Sequence, residues 1–254
     1  MRILMYHEVT KQEPAEIHAV SKAAFGAQMR WLQQAGYQTV ALADWLAAAG
    51  GGRRRLTGKL IIITFDDGYR DNHTNAWPIL AEYGFTATIF LVTGRMGQTS
   101  DWRPGALGRA PLLTWSQARE LAGAGLRFGS HTVNHVDLNA APATVVEQEL
   151  RASRSDIQQA LGVAVDHLAY PYSRFNAQVK DLARQAGYRT ACSCPTGYVS
   201  SANRDPYDLR RITVLAADQL SDFAAKVRGD WRRRLDWYRR VFGQWRRRRL
   251  GARA

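Results

Sequence analysis

Short apolar runs alternate along most of the chain with longer stretches in which apolar positions recur every three or four residues. The first pattern is that of buried strands, the second that of helices with one buried side. Residues 3–6 read as a short strand. Ser21 then caps a helix whose Phe25, Met29 and Leu32 share a face and which stops at Gly36. Residues 38–42 form a second strand, followed by a Gly/Arg loop at 50–55. The run LIIITF at 60–65 is the strongest strand, β-branched through its centre. A helix over 72–83 contains Pro78, which either kinks it or marks a helix start. A strand at 86–92 leads into a Gly-, Pro- and Arg-rich loop at 94–111, and Thr114 with Gln117 has the spacing of a capping box. Strands at 126–130, 166–170, 188–193 and 209–214 alternate with helices at 144–161, 176–186 and 218–228. Repeated strand–helix units predict an α/β fold with a parallel sheet, and periodicity alone leaves open whether it is an open sheet or a closed barrel.

Three motifs each follow one of these strands, where the reactive groups of parallel α/β folds gather. The first is Thr64-Phe65-Asp66-Asp67-Gly68. Adjacent carboxylates repel, at a cost that falls if one binds a cation and the other is held for proton transfer. Alone, it reads equally as an Asp-Gly turn with solvated acids. The second is His131-Thr132-Val133-Asn134-His135, read alone either as two unrelated surface or core histidines or, if the segment takes a helical turn, as two imidazoles that converge on one metal. With Asp67 they make a His, His, carboxylate set with room for water, the pattern of a catalytic metal. The third is Ala169-Tyr170-Pro171-Tyr172-Ser173, either a strand end punctuated by proline or a pocket wall presenting the Tyr172 N–H to a developing oxyanion.

The ordered trio TFDDG, HTVNH and AYPY resembles the motifs of the polysaccharide deacetylases of carbohydrate esterase family four, the NodB homology domain, over roughly residues 1–215. The resemblance implies a distorted (β/α) barrel, a divalent metal (zinc fits the donor types) on Asp67, His131 and His135, and Asp66 as general base. Two positions depart from the family pattern. An arginine that orients the base in the family is replaced by Ala169, leaving Arg174 and Arg211 as candidates to supply it from elsewhere. The late Leu-x-His motif reads Leu209-Arg210-Arg211, so the general-acid histidine is missing there. Some family members resemble circularly permuted forms with the acid-bearing strand first. The strand ending Met5-Tyr6-His7 therefore makes His7 the candidate acid, the other reading being a strand-end histidine bonded to backbone. Trp102, in the long loop, is a candidate for stacking on a sugar ring, or else an anchor for its loop. Cys192 and Cys194 read as core thiols rather than a metal pair.

The 254 residues are 46% apolar and 22% charged, which excludes a disordered chain, a collagen-like fibre and a disulfide scaffold. The net charge of +13 is uneven. Residues 226–254 hold 12 basic and two acidic residues, leaving only +3 for residues 1–225. This divides the chain into a catalytic domain at 1–225 and a basic tail at 226–254. In the tail, Trp231, Leu235, Tyr238, Phe242 and Trp245 fall on one helical face among arginines. That pattern suits an anionic membrane surface, with docking onto the barrel as the alternative and nucleic acid a distant third. The opening residues lack the pattern of a signal peptide, and no apolar run approaches a membrane span. The expectation is a cytoplasmic enzyme, peripheral on the inner membrane, removing the N-acetyl group from a lipid-linked N-acetylhexosamine. The alternatives are a soluble or polymeric N-acetylglucosamine glycan as substrate, or a non-catalytic binding barrel.

Overall fold

The computed structural model describes residues 1–14, 16–49, 57–102, 109–194 and 205–230. Its first strand, β1 (Arg2–Tyr6), is followed by a two-stranded ribbon of β2 (Val9–Thr10) and β3 (Val20–Ser21). The Ser21 hydroxyl accepts the Ala24 N–H at the start of α1 (Lys22–Gln34), as its sequence position predicts. The next strand, β4 (Tyr37–Thr39), is shorter than expected. Residue 42 is not in it: Leu42 opens α2 (Leu42–Ala49), whose apolar composition resembles that of a buried strand. The LIIITF run is β5 (Lys59–Phe65). The helix predicted at 72–83 divides into a π-helical turn, Asn72–Ala76, and α3 (Trp77–Glu82), with Pro78 in its first turn where no N–H is needed.

The remainder follows the predicted alternation: β6 (Thr88–Leu91), α4 (Trp115–Gly123), β7 (Arg127–Ser130), α5 (Ala143–Leu161), β8 (His167–Ala169), α6 (Ala177–Gln185) and β9 (Thr190–Ser193). The capping box of Thr114 and Gln117 is formed at the start of α4. The last predicted strand is broken into β10 (Leu209–Arg210) and β11 (Ile212–Thr213), with Arg211 between them. Then α7 (Leu220–Arg228) packs against α1 through Phe223 and Trp31, and the Arg2 guanidinium of β1 donates to its Lys226 and Arg228 carbonyls.

All strand pairs in the main sheet are parallel, in the order β10-β9-β8-β7-β6-β5-β1-β11, with β4 also beside the first half of β5. Since β10 and β11 flank Arg211, the sheet curls into a nearly closed (β/α) barrel whose seam lies at residues 209–213. Side chains alternate along each strand and divide the core in two. Leu4, Ile61, Ile63 and Ile89 pack outward against helix residues such as Phe25, Met29, Leu121 and Val146. Ile3, Ile62, Phe90, Ala169, Cys192 and Leu209 fill the interior. Gly129 marks the tightest approach there, since a Cβ would lie 2.5 Å from the Phe90 ring and 2.8 Å from the His167 carbonyl.

Candidate active site

Strand alternation aims the key groups at the barrel mouth. Ile62 lies in the interior cluster, and Asp66, four residues on, shares its face. Ile3 puts His7 on the same side of β1, and Leu209 does the same for Arg211. The chain turns sharply after Asp66, with Asp67 and Gly68 both left-handed at φ 71°. A Cβ on Gly68 would sit 2.8 Å from the Leu91 side chain, so the turn requires glycine. Asp67 holds a conformation that costs a non-glycine residue energy, a feature that concentrates at functional sites.

Asp67 faces both histidines of the second motif. Its Oδ1 lies 3.4 Å from His131 Nε2 and 3.3 Å from His135 Nε2. The three residues are buried, and their donor atoms lie within 4.8 Å of one another. Two ligands about 2.1 Å from a tetrahedral zinc lie about 3.4 Å apart, so the set fits such an ion. His131 Nδ1 donates to the Ala169 carbonyl at 2.7 Å, which fixes the ring with its Nε2 towards Asp67. Burial alone would raise the Asp67 carboxyl, but hydrogen bonds from His131 and His135 and the charges of His135 and His7 outweigh it and hold it well below the usual range.

The histidines do not converge through a helical turn. Residues 131–135 form an irregular bend in which Thr132 and His135 are left-handed, and the bend is held from outside. Glu149 of α5 accepts the Val133 and Asn134 N–H groups and the Asn134 side-chain amide, at 2.7–2.9 Å. Thr132 Oγ1 accepts the His135 N–H, and Ser130 Oγ accepts the Thr132 N–H. Sequence reading missed Glu149, although a signal existed. It sits on the buried stripe of α5 with Val146, Leu150 and Ile157, where an acid needs a partner.

Asp66 is held by Arg211. The guanidinium makes two parallel bonds to the carboxylate, both 2.6 Å, and also donates to Thr64 Oγ1 and the Ser193 carbonyl. Both partners are buried. Burial would raise the Asp66 carboxyl, but the charges of Arg211, His131 and His7 and the Arg211 hydrogen bonds bring it below its ordinary value. The two arginine candidates are thereby separated. Arg174 is exposed and pairs with Asp137 instead.

His7 stands close enough for its charge to help hold down both Asp66 and Asp67, and its ring is 4.9 Å from that of His18, to which the sequence assigns no role. Trp102 stacks on His135 with centroids 4.5 Å apart, and Tyr172 meets the same ring edge-on at 4.6 Å. Tyr172 lies in a short turn that Pro171 begins, is left-handed at φ 57°, and is half exposed. Cys192 is a core thiol pushed up to about 12 by burial, whereas Cys194 is half-buried and bonds Thr213 instead of joining the core. His73, a few residues past Asp67, is engaged by Glu120 at 2.9 Å.

The polysaccharide deacetylase family model matches residues 53–191, more than half of the chain. The chain belongs to the polysaccharide deacetylase family. YxkH of Bacillus subtilis strain 168, provisionally named a polysaccharide deacetylase, is 30% identical over 225 residues, covering 89% of this chain and 75% of that protein. The Streptococcus pyogenes deacetylase PplD, solved with acetate, superposes with a TM-score of 0.77 at 27% identity, over 89% of this chain and 97% of that one. A poly-β-1,6-N-acetyl-D-glucosamine N-deacetylase of Escherichia coli K12 is 24% identical over 82% of this deacetylase-family chain, which spans 35% of that longer protein.

The tail residues Trp231, Leu235, Tyr238, Phe242 and Trp245 lie outside the described residues. Lys226, which the sequence places at the start of the tail, is buried in α7 and paired with Asp218. Among the described residues, no helix is long and apolar enough to cross a membrane.

Proposed function

We propose that this chain is a metal-dependent hydrolase that removes the N-acetyl group from N-acetylglucosamine units of a glycan. The supporting observation is the buried Asp67–His131–His135 set directly beside an Asp66 carboxylate fixed by Arg211. Asp67, His131 and His135 would hold a divalent ion, and two imidazoles with a carboxylate suit zinc. When bound, such an ion supplies Lewis acidity towards an acetamide carbonyl. Asp66, kept ionised by Arg211, takes the proton from water as it attacks the carbonyl carbon. The Tyr172 N–H steadies the oxyanion. His7, protonated, gives its proton to the leaving amine as the C–N bond breaks, so that water and amide become acetate and a free amino sugar. Trp102 and the Tyr172 ring, on either side of His135, supply aromatic surface for the sugar. The relatives named for poly-β-1,6-N-acetylglucosamine favour a polymeric substrate.

A second substrate reading rests on the tail pattern. A chain held on an anionic membrane, at the cytoplasmic face, would meet lipid-linked amino sugars. Acetate release from soluble, polymeric and lipid-linked N-acetylhexosamines separates the two readings. Turnover of the polymer with none of the lipid-linked sugar leaves the first standing. Flotation with anionic liposomes, lost in a chain ending at residue 230, supports the second.

A further inference from the structure

The segment that carries His7 has little strand structure of its own. β1 ends at Tyr6, and β2 spans only two residues. Its backbone is gripped by side chains from a single turn, the one that follows the Asp66-Asp67-Gly68 motif. Asp71 Oδ2 accepts the Val9 N–H at 3.0 Å. The Asn72 amide donates to the His7 carbonyl at 2.9 Å and to Asp71 Oδ1 at 3.0 Å. The Asn75 amide donates to the Val9 carbonyl at 2.6 Å. The Glu8 carbonyl accepts from Val20 N–H at 2.9 Å. Asn72 and Asn75 are 1% and 5% exposed, positions where an apolar side chain would cost less desolvation. They sit in the π-helical turn Asn72–Ala76, a distortion found mostly as isolated turns and often at functional sites.

We propose that Asp71, Asn72 and Asn75 are positioning residues that clamp the His7–Val9 backbone and so fix the proton donor against the base. The proposal rests on the reading of His7 as general acid. Its consequence is geometric: the acid's backbone is tied to the loop that begins with the base, so the two move as one unit. A productive site needs its groups within about 0.5 Å of their working positions, which a free strand end would not provide.

The test uses the full metal-loaded chain and two substrates. One is a β-1,6-linked N-acetylglucosamine oligomer, whose leaving amine needs a proton. The other is 4-nitrophenyl acetate, whose nitrophenolate departs without one. Asn72→Ala and Asn75→Ala should each lower kcat on the amide about 10-fold, and together about 100-fold. KM, metal content and the ester rate should stay within about two-fold. In a His7→Ala background the same changes should add nothing further on the amide, because they act through that side chain. Unchanged amide turnover, a loss that persists without His7, or a parallel fall in both rates overturns the clamp. The last outcome would mean that the fold or the metal-binding bend had been disturbed instead. If an alanine variant fails to fold, Asn72→Ser or Asn75→Ser takes its place under the same criteria. Near-normal amide turnover by His7→Ala itself contradicts the acid reading, and that result is obtained independently of any clamp variant.

Discussion

The two halves of the proposed site, the metal set and the base, are held by different means. Asp67, His131 and His135 come from two strand ends close in the sheet, and their bends are stabilised by near neighbours: Gly68, Thr132, Ser130 and Glu149. Asp66 instead depends on an arginine 145 residues away, at the break between β10 and β11 where the barrel closes. The first half is fixed by its own turns, Glu149 of α5 and the Ala169 carbonyl, none of them at the seam. The second exists only when the seam is shut, so closure of the barrel and orientation of the base are one event.

Removing the base should have the largest effect. Asp66→Asn should cost roughly 10²- to 10⁴-fold in kcat while metal content is retained, as measured by acetate release and metal analysis. Equal loss of metal would mean that the two halves are not separable. Arg211→Met should follow. It leaves a buried carboxylate without its partner, worth roughly 3–5 kcal/mol in denaturant unfolding. The double variant Asp66→Asn/Arg211→Met should regain much of that stability and none of the activity. Arg211→Lys should restore activity only in part, because an ammonium cannot make two parallel bonds.

Glu149→Ala addresses the other half. Its expected effect is a loss of metal affinity of roughly 10- to 100-fold, with full activity recovered at saturating metal. If activity stayed low at saturation, Glu149 would be shaping more than the bend. The smallest effect concerns stability. Burial pushes Asp71 up to about 7, against about 3.9 in an unfolded chain. Between those values the folded protein holds a proton that the unfolded chain has lost, so this group's contribution to stability falls as pH rises from about 4 to about 7. Asp71→Asn, which keeps an acceptor for the Val9 N–H and gives up the one facing the Asn72 amide, should gain on the parent in urea midpoint as pH rises from 4 to 8. A difference that stays constant or moves the other way would show that the buried charge does not govern this group.

The same contrast explains what the sequence made legible. Asp66, Asp67, His131 and His135 fall within short motifs behind strongly apolar strands, so their gathering at one end of the sheet was legible from the pattern. Ser21 and the Thr114–Gln117 box were readable for the same reason, since a cap is a contact within four residues. Arg211 was readable only as one of two candidates, because its bond to Asp66 depends on how the sheet closes. Alternation from Leu209 was the unused signal that Arg211 points inward. Leu42 was misassigned because a short apolar run does not distinguish a buried strand from a helix start, and only its place beyond the sheet decides. A helical turn at 131–135 is the simplest way to bring two histidines together, and it was the condition attached to that motif. Glu149 makes another way available.

The most direct test of the account is the stoichiometry of the reaction. The metal-loaded chain, incubated with a β-1,6-linked N-acetylglucosamine oligomer, should release acetate and expose free amines in equal amounts. It should carry one divalent ion per chain, lose activity on chelation and regain it on adding metal. Asp66→Asn, with the same metal content, should release almost none. Acetate release that survives Asp66→Asn, or none across soluble, polymeric and lipid-linked N-acetyl sugars from a fully metal-loaded chain, would contradict it.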